Sequence, residues 1–255
     1  MQNGKHLGEI LHAKHAFMPN SLGYCGPDDR GKILDHLHRN STSEKLLSIL
    51  KDFDAAYPFV RMIASSTGKR PFDYDVAEAY WLGNSLLESV APVDFYEFTH
   101  RYLGGRIQKG MAKPIFKEFG QKIRPHHTFY VLGLYSRVSP LSDNNQKLLQ
   151  LMDSCRISWG KVQQVEDDQL LVEKTPLIFV KDRLKMAPRR IKTKVAYDSE
   201  IPAFNNVRIG DWVSLHWNFA SEKLAQSQLQ NLRKYTQQDI SVVNSFADRI
   251  KGLEQ

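Results

Sequence analysis

The sequence has few cysteines and no long apolar run. Two cysteines in 255 residues are too few for a disulfide scaffold, and a reducing compartment keeps both as thiols. No apolar stretch approaches the roughly 20 residues that span a bilayer, and the polar residues 1–5 lack the apolar core of a signal peptide. We therefore expect a cytoplasmic protein without a membrane segment.

Several motifs of common enzyme classes are also missing from the sequence. It has no Gly-rich phosphate loop with its lysine, no serine nucleophile elbow and no paired-cysteine zinc pattern. It has no internal repeat and no low-complexity tract. The hydrophobic content of 42% and the charged content of 25% are ordinary globular values. A length of 255 residues is enough for one large domain or two small ones.

The net charge of +7 is concentrated in one stretch. Residues 181–194 contain seven basic residues and one acid, a local charge of +6. Within this stretch bases alternate with Ile191, Thr193 and Val195, which predicts a half-buried strand with a basic outer face. This face is either simply solvated or a docking surface for an acidic protein. The stretch lacks interleaved aromatics for base stacking, which argues against a nucleic-acid site. The proposed docking residues are Lys181, Arg190, Lys192 and Lys194.

The first part of the chain has mainly helical spacing. A capping-box pattern at Ser41–Glu44 precedes a periodic apolar stretch that ends at Pro58, and Asp75–Val90 predicts another helix, with Gly83 inside it. Further helices are predicted over Asp94–Leu103 and Lys113–Ile123. Ser139–Asn145, rich in Pro, Ser and Asn, is the predicted linker. We therefore predict an α-helical domain over residues 1–150.

The candidate site residues in the predicted helical domain are one cysteine and several histidines. His6, His12 and His15 surround the first predicted helix, and no cysteine or carboxylate completes a metal-binding spacing with them. We therefore expect them at the surface or at its boundary. Cys25 lies in a loop dense in glycine and proline, where it is either functional or a buried apolar thiol. His126 and His127 are adjacent in sequence, so at most one should face any given site.

The second part of the chain, residues 151–255, shows the two-residue period of strands. We expect the first strand to begin at Cys155, a hairpin turn at Asp167-Asp168, and a return strand over Leu170–Val180. Gly210-Asp211 opens a later strand that ends near His216, and helical spacing follows from Phe219. Four or five strands and a helix suit a small barrel. The predicted fold class is therefore α+β: a helical domain, then a small β-barrel with a C-terminal helix.

Two motifs in this second part resemble the HypC-type chaperones of nickel-iron hydrogenase maturation. The first is G-D-x-V-x-x-H-x-x-F-A-x-x-K-L over residues 210–224, and the second is Cys155 followed by Gly160-Lys161-Val162. The resemblance covers about the last hundred residues. The chain departs from the family's pattern at Trp159, where the family usually has proline, and in having its cysteine inside the chain rather than at the N-terminus.

The resemblance implies an OB-like barrel that binds an iron unit bearing cyanide and carbon monoxide and passes it to the hydrogenase large subunit. It implies Cys155 as the thiolate ligand and His216 as its neighbour. The expected partner is the hydrogenase large-subunit precursor or another maturation protein. We expect these two residues to lie on the first and last strands of the barrel, and adjacent strands are about 4.8 Å apart. Cys155 and His216 should therefore form one site.

Two other hypotheses remain open at this stage. In the first, the protein is a cysteine- or metal-dependent enzyme with its site in the helical domain. Cys25 would then be the nucleophile and His126 or His127 its base, with the barrel as a docking module. In the second, weaker hypothesis the barrel and its basic strand bind RNA, which would make the affinity strongly dependent on salt.

Overall fold

A helical region, a closed β-barrel and a long C-terminal helix make up the fold. The computed structural model describes residues 7–102, 123–138 and 145–253. The predicted α+β class is confirmed, as is the order of helical region, small barrel and C-terminal helix. The predicted linker and the helix predicted over Lys113–Ile123 lie almost entirely outside the described residues. Within the described ranges, no helix combines the length and the apolar character needed to cross a membrane.

The helices before the barrel are mostly short. Ser43 begins the third of them, because its side chain accepts a hydrogen bond from the Leu46 backbone N–H at 3.1 Å. The helix cap is therefore Ser43, two residues after Ser41, where the predicted capping-box pattern starts. The helices are α1 (Leu7–Ser21), α2 (Arg30–Arg39), α3 (Glu44–Lys51), α4 (Tyr57–Thr67), α5 (Tyr74–Trp81), a 3₁₀ turn (Ser85–Ser89), α6 (Pro92–Tyr102), α7 (His127–Val138) and α8 (Gln146–Cys155).

Five of the described strands close into the barrel, in the order β1-β2-β5-β7-β6, and β3 and β4 form a separate two-stranded ribbon. The predicted hairpin turn at Asp167-Asp168 is confirmed, with the Glu166 N–H bonded to the Gln169 carbonyl at 2.8 Å. The strands are β1 (Ser158–Val165), β2 (Gln169–Lys174), β3 (Leu177–Val180), β4 (Arg183–Met186), β5 (Ile191–Ala196), β6 (Trp212–His216) and β7 (Phe219–Lys223), and helix α9 (Gln226–Leu253) follows them.

Three of the element boundaries predicted in or next to the barrel are wrong. Cys155 does not begin a strand but is the last residue of α8. Its side chain packs against a small apolar cluster that contains Met152 of the same helix. Phe219 does not begin a helix: Trp217 and Asn218 both have positive φ and form a two-residue hairpin turn, so the chain returns as β7. The return strand predicted over Leu170–Val180 is two strands, interrupted where Pro176 cannot donate a ladder hydrogen bond.

Both faces of strand β6 are buried. Val213 and Leu215 face the barrel interior, together with Gly160 of the paired strand β1. A Cβ on Gly160 would lie 2.9 Å from the Cβ of Val172, so the interior has no room for a side chain there. Ser214 and His216 point the other way, as the two-residue period requires, and α1 covers them. The helical region therefore packs directly on the outer wall of the barrel.

The apolar core is continuous across residue 150. One cluster of buried residues includes Ile10 of α1, Tyr80 of α5, Val172 of β2 and Leu232 of α9. The division into domains 1–150 and 151–255 stays a prediction. A barrel separated from the helical region would expose the buried Ser214 and His216 to water.

Gly83 lies at the end of α5 rather than inside a continuous helix. Its φ of +83° is in the left-handed region, and the ring of Tyr235 from α9 occupies the place that a Cβ would take. The predicted helix over Asp75–Val90 is therefore interrupted here, and the chain continues as the 3₁₀ turn. Close packing of α9 against this glycine helps to fix the C-terminal helix.

Replacing Gly83 with alanine should destabilise the protein by about 2–4 kcal/mol, because left-handed strain and a clash with Tyr235 both contribute. Gly23→Ala should cost only about 1 kcal/mol, since φ there is +73° but nothing lies within 4 Å of the added Cβ. Gly31→Ala, in α2 with open space around it, is the control without strain or clash. Urea unfolding of the three variants measures these differences, and equal costs for Gly83→Ala and Gly23→Ala would refute the packing role of Tyr235.

Candidate functional site

Three side chains from three elements meet at one point between the helical region and the barrel. The sulfur of Cys155 and one ring nitrogen each of His127 and His216 lie within 4.8 Å of one another. The predicted proximity of Cys155 and His216 is therefore confirmed. His127, which the sequence suggested only for the alternative enzyme hypothesis, joins them. We call these three residues the His-Cys-His cluster.

Backbone pairing brings the ends of α8 and β6 together. Ser158 of β1 pairs with Leu215 of β6, so the residues before β1 lie beside the residues after β6. The Trp217 N–H, immediately after His216, donates to the carbonyl of Ser154 at 2.8 Å. Cys155 and His216 thus meet because strands β1 and β6 close the barrel, as the sequence predicted, although Cys155 itself is helical.

The tautomer of His216 is fixed by helix α1. Its Nδ1 lies 2.6 Å from the carbonyl oxygen of His15, and because a carbonyl only accepts, Nδ1 must carry the proton. Burial lowers the pKa of His216 to about 4, although the carbonyls of His15 and Cys155 oppose this shift. The ring is neutral at pH 7, so Nε2 has a free lone pair. Among the described residues Nε2 has no hydrogen-bond partner.

Pro19 explains why the His15 carbonyl is available. In an α-helix this carbonyl would accept from the backbone N–H four residues later. That residue is Pro19, inside α1, and proline has no N–H. The His15 carbonyl is left without its intrahelical donor, and His216 supplies one from the barrel. A helix-breaking residue within α1 therefore prepares the contact that orients His216.

His127 is also held as a neutral ring. Its Nε2–H donates to the Cys155 carbonyl at 2.9 Å, which leaves the Nδ1 lone pair 3.2 Å from the Tyr80 hydroxyl. Burial, and then the nearby His216, lower the pKa of His127 well below its usual value. The neighbouring His126 points elsewhere and binds the buried Asp239 at 2.6 Å. The expectation that at most one of the two adjacent histidines faces a given site is confirmed.

A cavity of about 180 Å³ adjoins the His-Cys-His cluster, whose members all line it. Most of the other walls are apolar or aromatic. Cys25 also lines this cavity, so the structure brings it near His127 but not near His126, which is absent from the walls. The cavity is further lined by Ala16, Pro19, Tyr24, Phe53, Ala55, Ala56, Tyr80, Trp81, Tyr130 and Trp217.

Cys25 is poorly suited to be a nucleophile in its present environment. Burial, and then the charge of Asp54, raise the pKa of its thiol to about 11, whereas a reactive cysteine needs a lowered pKa. Next to it, Tyr24 is 63% exposed and stacks on Trp217 with ring centroids 4.4 Å apart. Since Tyr24 and Trp217 both line the cavity, this aromatic pair separates it from solvent on that side.

His12 and His15 are fully buried, so the expectation that they lie at the surface is wrong; His6 lies outside the described residues. Three of their four ring nitrogens bond protein partners, and His12 Nε2 is buried without one among the described residues. His15 bonds the Leu11 carbonyl at 3.0 Å and the Ser214 hydroxyl at 3.1 Å, and His12 Nδ1 accepts from the Trp81 indole at 3.0 Å. Helix spacing alone could not show that α1 is enclosed by α5 and the barrel.

Trp81 is the aromatic centre of the site. Its ring contacts four buried histidines, with centroids 5.2 Å from His12, 5.5 Å from His15, 4.6 Å from His127 and 5.7 Å from His216. The sequence analysis did not single out Trp81. The only signal for it was a large aromatic residue with an indole donor inside a predicted helix.

The basic residues 181–194 lie on β4, β5 and the turns beside them. Lys192 and Lys194 are exposed on β5, and Lys181 is in the exposed turn between β3 and β4. Two of the basic residues already have acidic partners: Lys194 binds Glu166 at 2.7 Å and Arg190 binds Glu173 at 2.9 Å. Exposed ion pairs of this kind contribute little stability, so they exchange readily for other partners.

The chain belongs to a family of unknown function, DUF6390, whose sequence profile matches residues 4–249. The match covers the helical region, the barrel and most of α9 together. No curated protein and no solved structure matches the chain. Membership in this family assigns no activity, and it neither supports nor opposes the resemblance to the HypC-type chaperones.

The buried histidines predict how stability depends on pH. Burial lowers the pKa of His12 and His15 to about 3 and that of His216 to about 4, and lowers that of His127 as well. Below about pH 6.5 the unfolded chain takes up protons that the folded chain does not, so stability falls as pH falls towards 4. Between pH 7.5 and 5.5 each such histidine should cost about 1.4 kcal/mol.

Urea unfolding at pH 7.5 and pH 5.5 measures this loss. His12→Asn keeps an acceptor for the Trp81 indole but cannot be protonated, so the variant should lose about 1.4 kcal/mol less than the wild type between the two pH values. An identical loss in the two proteins would show that His12 is already protonated in the folded state.

Proposed function

We propose that the protein is an accessory protein of metal-centre assembly that carries an iron unit on the His-Cys-His cluster. The observation that carries this proposal is the buried, neutral His216, whose Nε2 has no hydrogen-bond partner among the described residues. One of its ring nitrogens, the Cys155 sulfur and a ring nitrogen of His127 lie within 4.8 Å of one another. A buried polar atom without a partner is costly. A bound metal ion would satisfy it.

The donor set suits a transition metal of intermediate softness. One thiolate and two imidazoles are ligands for ions such as Fe²⁺, Co²⁺ and Zn²⁺, whereas hard ions such as Mg²⁺ and Ca²⁺ prefer oxygen. His216 Nδ1–H donates to the His15 carbonyl, which fixes the orientation of the ring. Metal-binding histidines commonly donate their second ring N–H in this way. Both rings are already neutral. Binding would require the Cys155 thiol to lose its proton and one nitrogen of His127 to give up its present hydrogen bond, to the Cys155 carbonyl or to Tyr80.

Three protein donors leave coordination positions for ligands that the metal brings with it. The adjoining cavity has mainly apolar walls and the space of a few small groups. Small diatomic ligands such as cyanide and carbon monoxide fit these walls better than a polar substrate would. This agrees with the cargo implied by the resemblance, an iron unit passed on to a hydrogenase large-subunit precursor or another maturation protein.

The helical region contributes to this proposed site rather than forming a separate one. Helix α7 supplies His127, and α1 supplies the carbonyl that orients His216. The loop that contains Tyr24 and Cys25 covers one side of the cavity. We propose that this region takes the place of a second protein that would otherwise share the iron unit with the barrel.

The alternative, a thiol enzyme using Cys25, shares the same cavity. Cys25 and His127 both line it, which favours the hypothesis, but the raised pKa of the Cys25 thiol opposes it. Replacing each cysteine separately distinguishes the two functions. Iron carriage needs Cys155 and tolerates loss of Cys25, whereas the enzyme hypothesis requires the reverse.

The first test is a titration of the full chain, without oxygen, with Co²⁺ as a spectroscopic probe. We expect one equivalent to bind, with a near-ultraviolet thiolate charge-transfer band. Cys155→Ser should abolish this band and His216→Asn should weaken binding at least tenfold, in the range found when a ligand or its support is lost. Cys25→Ser is the matched control and should bind as the wild type does. Retention of the band in Cys155→Ser would rule out the cluster as a thiolate metal site.

The second test concerns the cargo itself. The protein and its Cys155→Ser variant would be purified without oxygen from a hydrogenase-producing host and compared by infrared spectroscopy, because cyanide and carbonyl stretches fall where protein does not absorb. We expect these bands, together with iron, in the wild type only. Cobalt binding without such bands would leave the metal site standing and refute the iron-cyanide-carbonyl cargo.

The basic surface formed by Lys181, Arg190, Lys192 and Lys194 is proposed to dock the acidic face of the receiving protein. Changing Arg190, Lys192 and Lys194 to Glu should slow association with the large-subunit precursor, most strongly at low salt, because screening limits this attraction to about 10 Å at 0.1 M. A variant with Arg39, Lys45 and Lys51 changed to Glu has the same net charge and is the control. Equal association rates for the two variants would leave the surface merely solvated.

A further inference from the structure

A second pocket, of about 160 Å³, lies where the outer wall of the barrel meets helix α9. It shares no lining residue with the cavity at the His-Cys-His cluster, among the residues that the structure describes. We call it the Arg-Trp pocket. Its lining residues are Trp159, Glu173, Thr175, Met186, Arg190, Trp212 and Arg233.

Strand pairing places the two tryptophans side by side. Trp159 of β1 pairs with Ser214 of β6, so Trp212, two residues from Ser214, is its diagonal neighbour on the same face. Arg233 of α9 lies over both rings, 4.7 Å from the Trp212 centroid and 5.8 Å from that of Trp159. Trp159 is one of the two points at which this chain departs from the HypC-type pattern, so the pocket is a feature of this chain rather than of that motif.

Two guanidinium groups converge in the pocket with only one acid to balance them. Arg190 pairs with Glu173 at 2.9 Å and is itself 6.0 Å from the Trp212 centroid. Arg233 has no carboxylate partner among the residues described by the structure. Burial, and then the charge of Arg190, lower the pKa of the Arg233 guanidinium. The residues that line the pocket thus have a net charge of about +1. The two guanidinium groups repel each other, and a bound anion would reduce this repulsion.

We propose that the Arg-Trp pocket binds a carboxylate attached to an apolar group. Arginine forks match a carboxylate bidentately, and Arg233 is already preorganised by the two indole faces. The indoles and the Met186 side chain offer an apolar wall for the group that bears the carboxylate. A net charge of +1 suits a monoanion better than a phosphate dianion. This proposal is independent of the metal function, because the two cavities use different residues.

The carboxylate has two possible sources with the same chemistry: a free small molecule, or a Glu or Asp side chain of a docking protein. The pocket contains Arg190, which also belongs to the basic surface, so a docking protein would place an acidic side chain within its reach. The experiment therefore tests the carboxylate first and its source second.

The probe is 4-fluorobenzoate, titrated into the full-length protein and followed by fluorine NMR at constant ionic strength. We expect saturable binding with a dissociation constant on the order of 1 mM, the affinity expected for a single well-matched anion contact. Arg233→Gln should weaken binding at least tenfold. Arg39→Gln removes the same charge from the exposed end of α2 and should leave it unchanged.

Three results would overturn the proposal: absence of saturable binding, equal affinity of Arg233→Gln and the wild type, or displacement of the probe by phosphate as effectively as by unlabelled benzoate. Circular dichroism melting shows whether Arg233→Gln is folded. If it is not, Arg190→Gln replaces it, with the same tenfold loss expected.

The source is then identified by competition with two peptides, one with Glu between leucines and one with Gln in its place. Displacement of the probe by the Glu peptide alone would assign the pocket to a protein side chain. Probe binding that neither peptide disturbs would assign it to a free carboxylate.

Discussion

The candidate site depends on one hydrogen bond between the helical region and the barrel, from His216 Nδ1 to the carbonyl of His15. Pro19 leaves this carbonyl without its helical donor, and the barrel strand β6 supplies the replacement. The bond fixes the tautomer of His216 and leaves its Nε2 lone pair without a hydrogen-bond partner among the described residues. Without α1 on the outer wall of the barrel, His216 would be a solvated histidine with no fixed tautomer.

Burial then determines the protonation of the whole site. Four histidines surround Trp81 and all have a lowered pKa, chiefly because water is excluded from them. Neutral imidazoles can be packed together without repulsion, whereas four charged rings could not. The same exclusion raises the pKa of the Cys25 thiol. Burial thus keeps the imidazoles neutral and opposes ionisation of the Cys25 thiol, which suits the proposed metal site better than a thiol nucleophile.

The Arg-Trp pocket follows the opposite electrostatic principle. At the cluster, buried groups avoid charge; in the pocket, two guanidiniums are charged, as arginine is in proteins, and Arg233 lies over both indole faces, which attract a cation. The cluster is the proposed site of a metal of intermediate softness with small ligands, and the pocket is the proposed site of an anion. The outer wall of a single small barrel thus offers two chemically distinct surfaces, each completed by a different helix.

The sequence alone determined the fold class and the pairing of two of the three residues of the His-Cys-His cluster. The alternation around Val213 and Leu215, the turn residues Asp167-Asp168 and the paired motifs at Cys155 and His216 are local patterns, and the backbone follows them. Alternation even predicted that Cys155 and His216 lie close together, because it identified the strands that close the barrel. The boundary at Phe219 was missed because a positive φ at Trp217 and Asn218 leaves no clear sequence signature.

Only the tertiary structure decided the rest. His127 joins Cys155 because α7 packs against α8, although the sequence predicts a linker between domains at Ser139–Asn145, between these two helices. His12 and His15 are buried because α1 is enclosed on both sides, and helical spacing reports one apolar face but not what covers the other. Arg233 contacts Trp159 and Trp212 because α9 packs on the outer wall of the barrel, which helical spacing does not show either. Each is a long-range contact, and its energy comes from excluding water at an interface that no local pattern encodes.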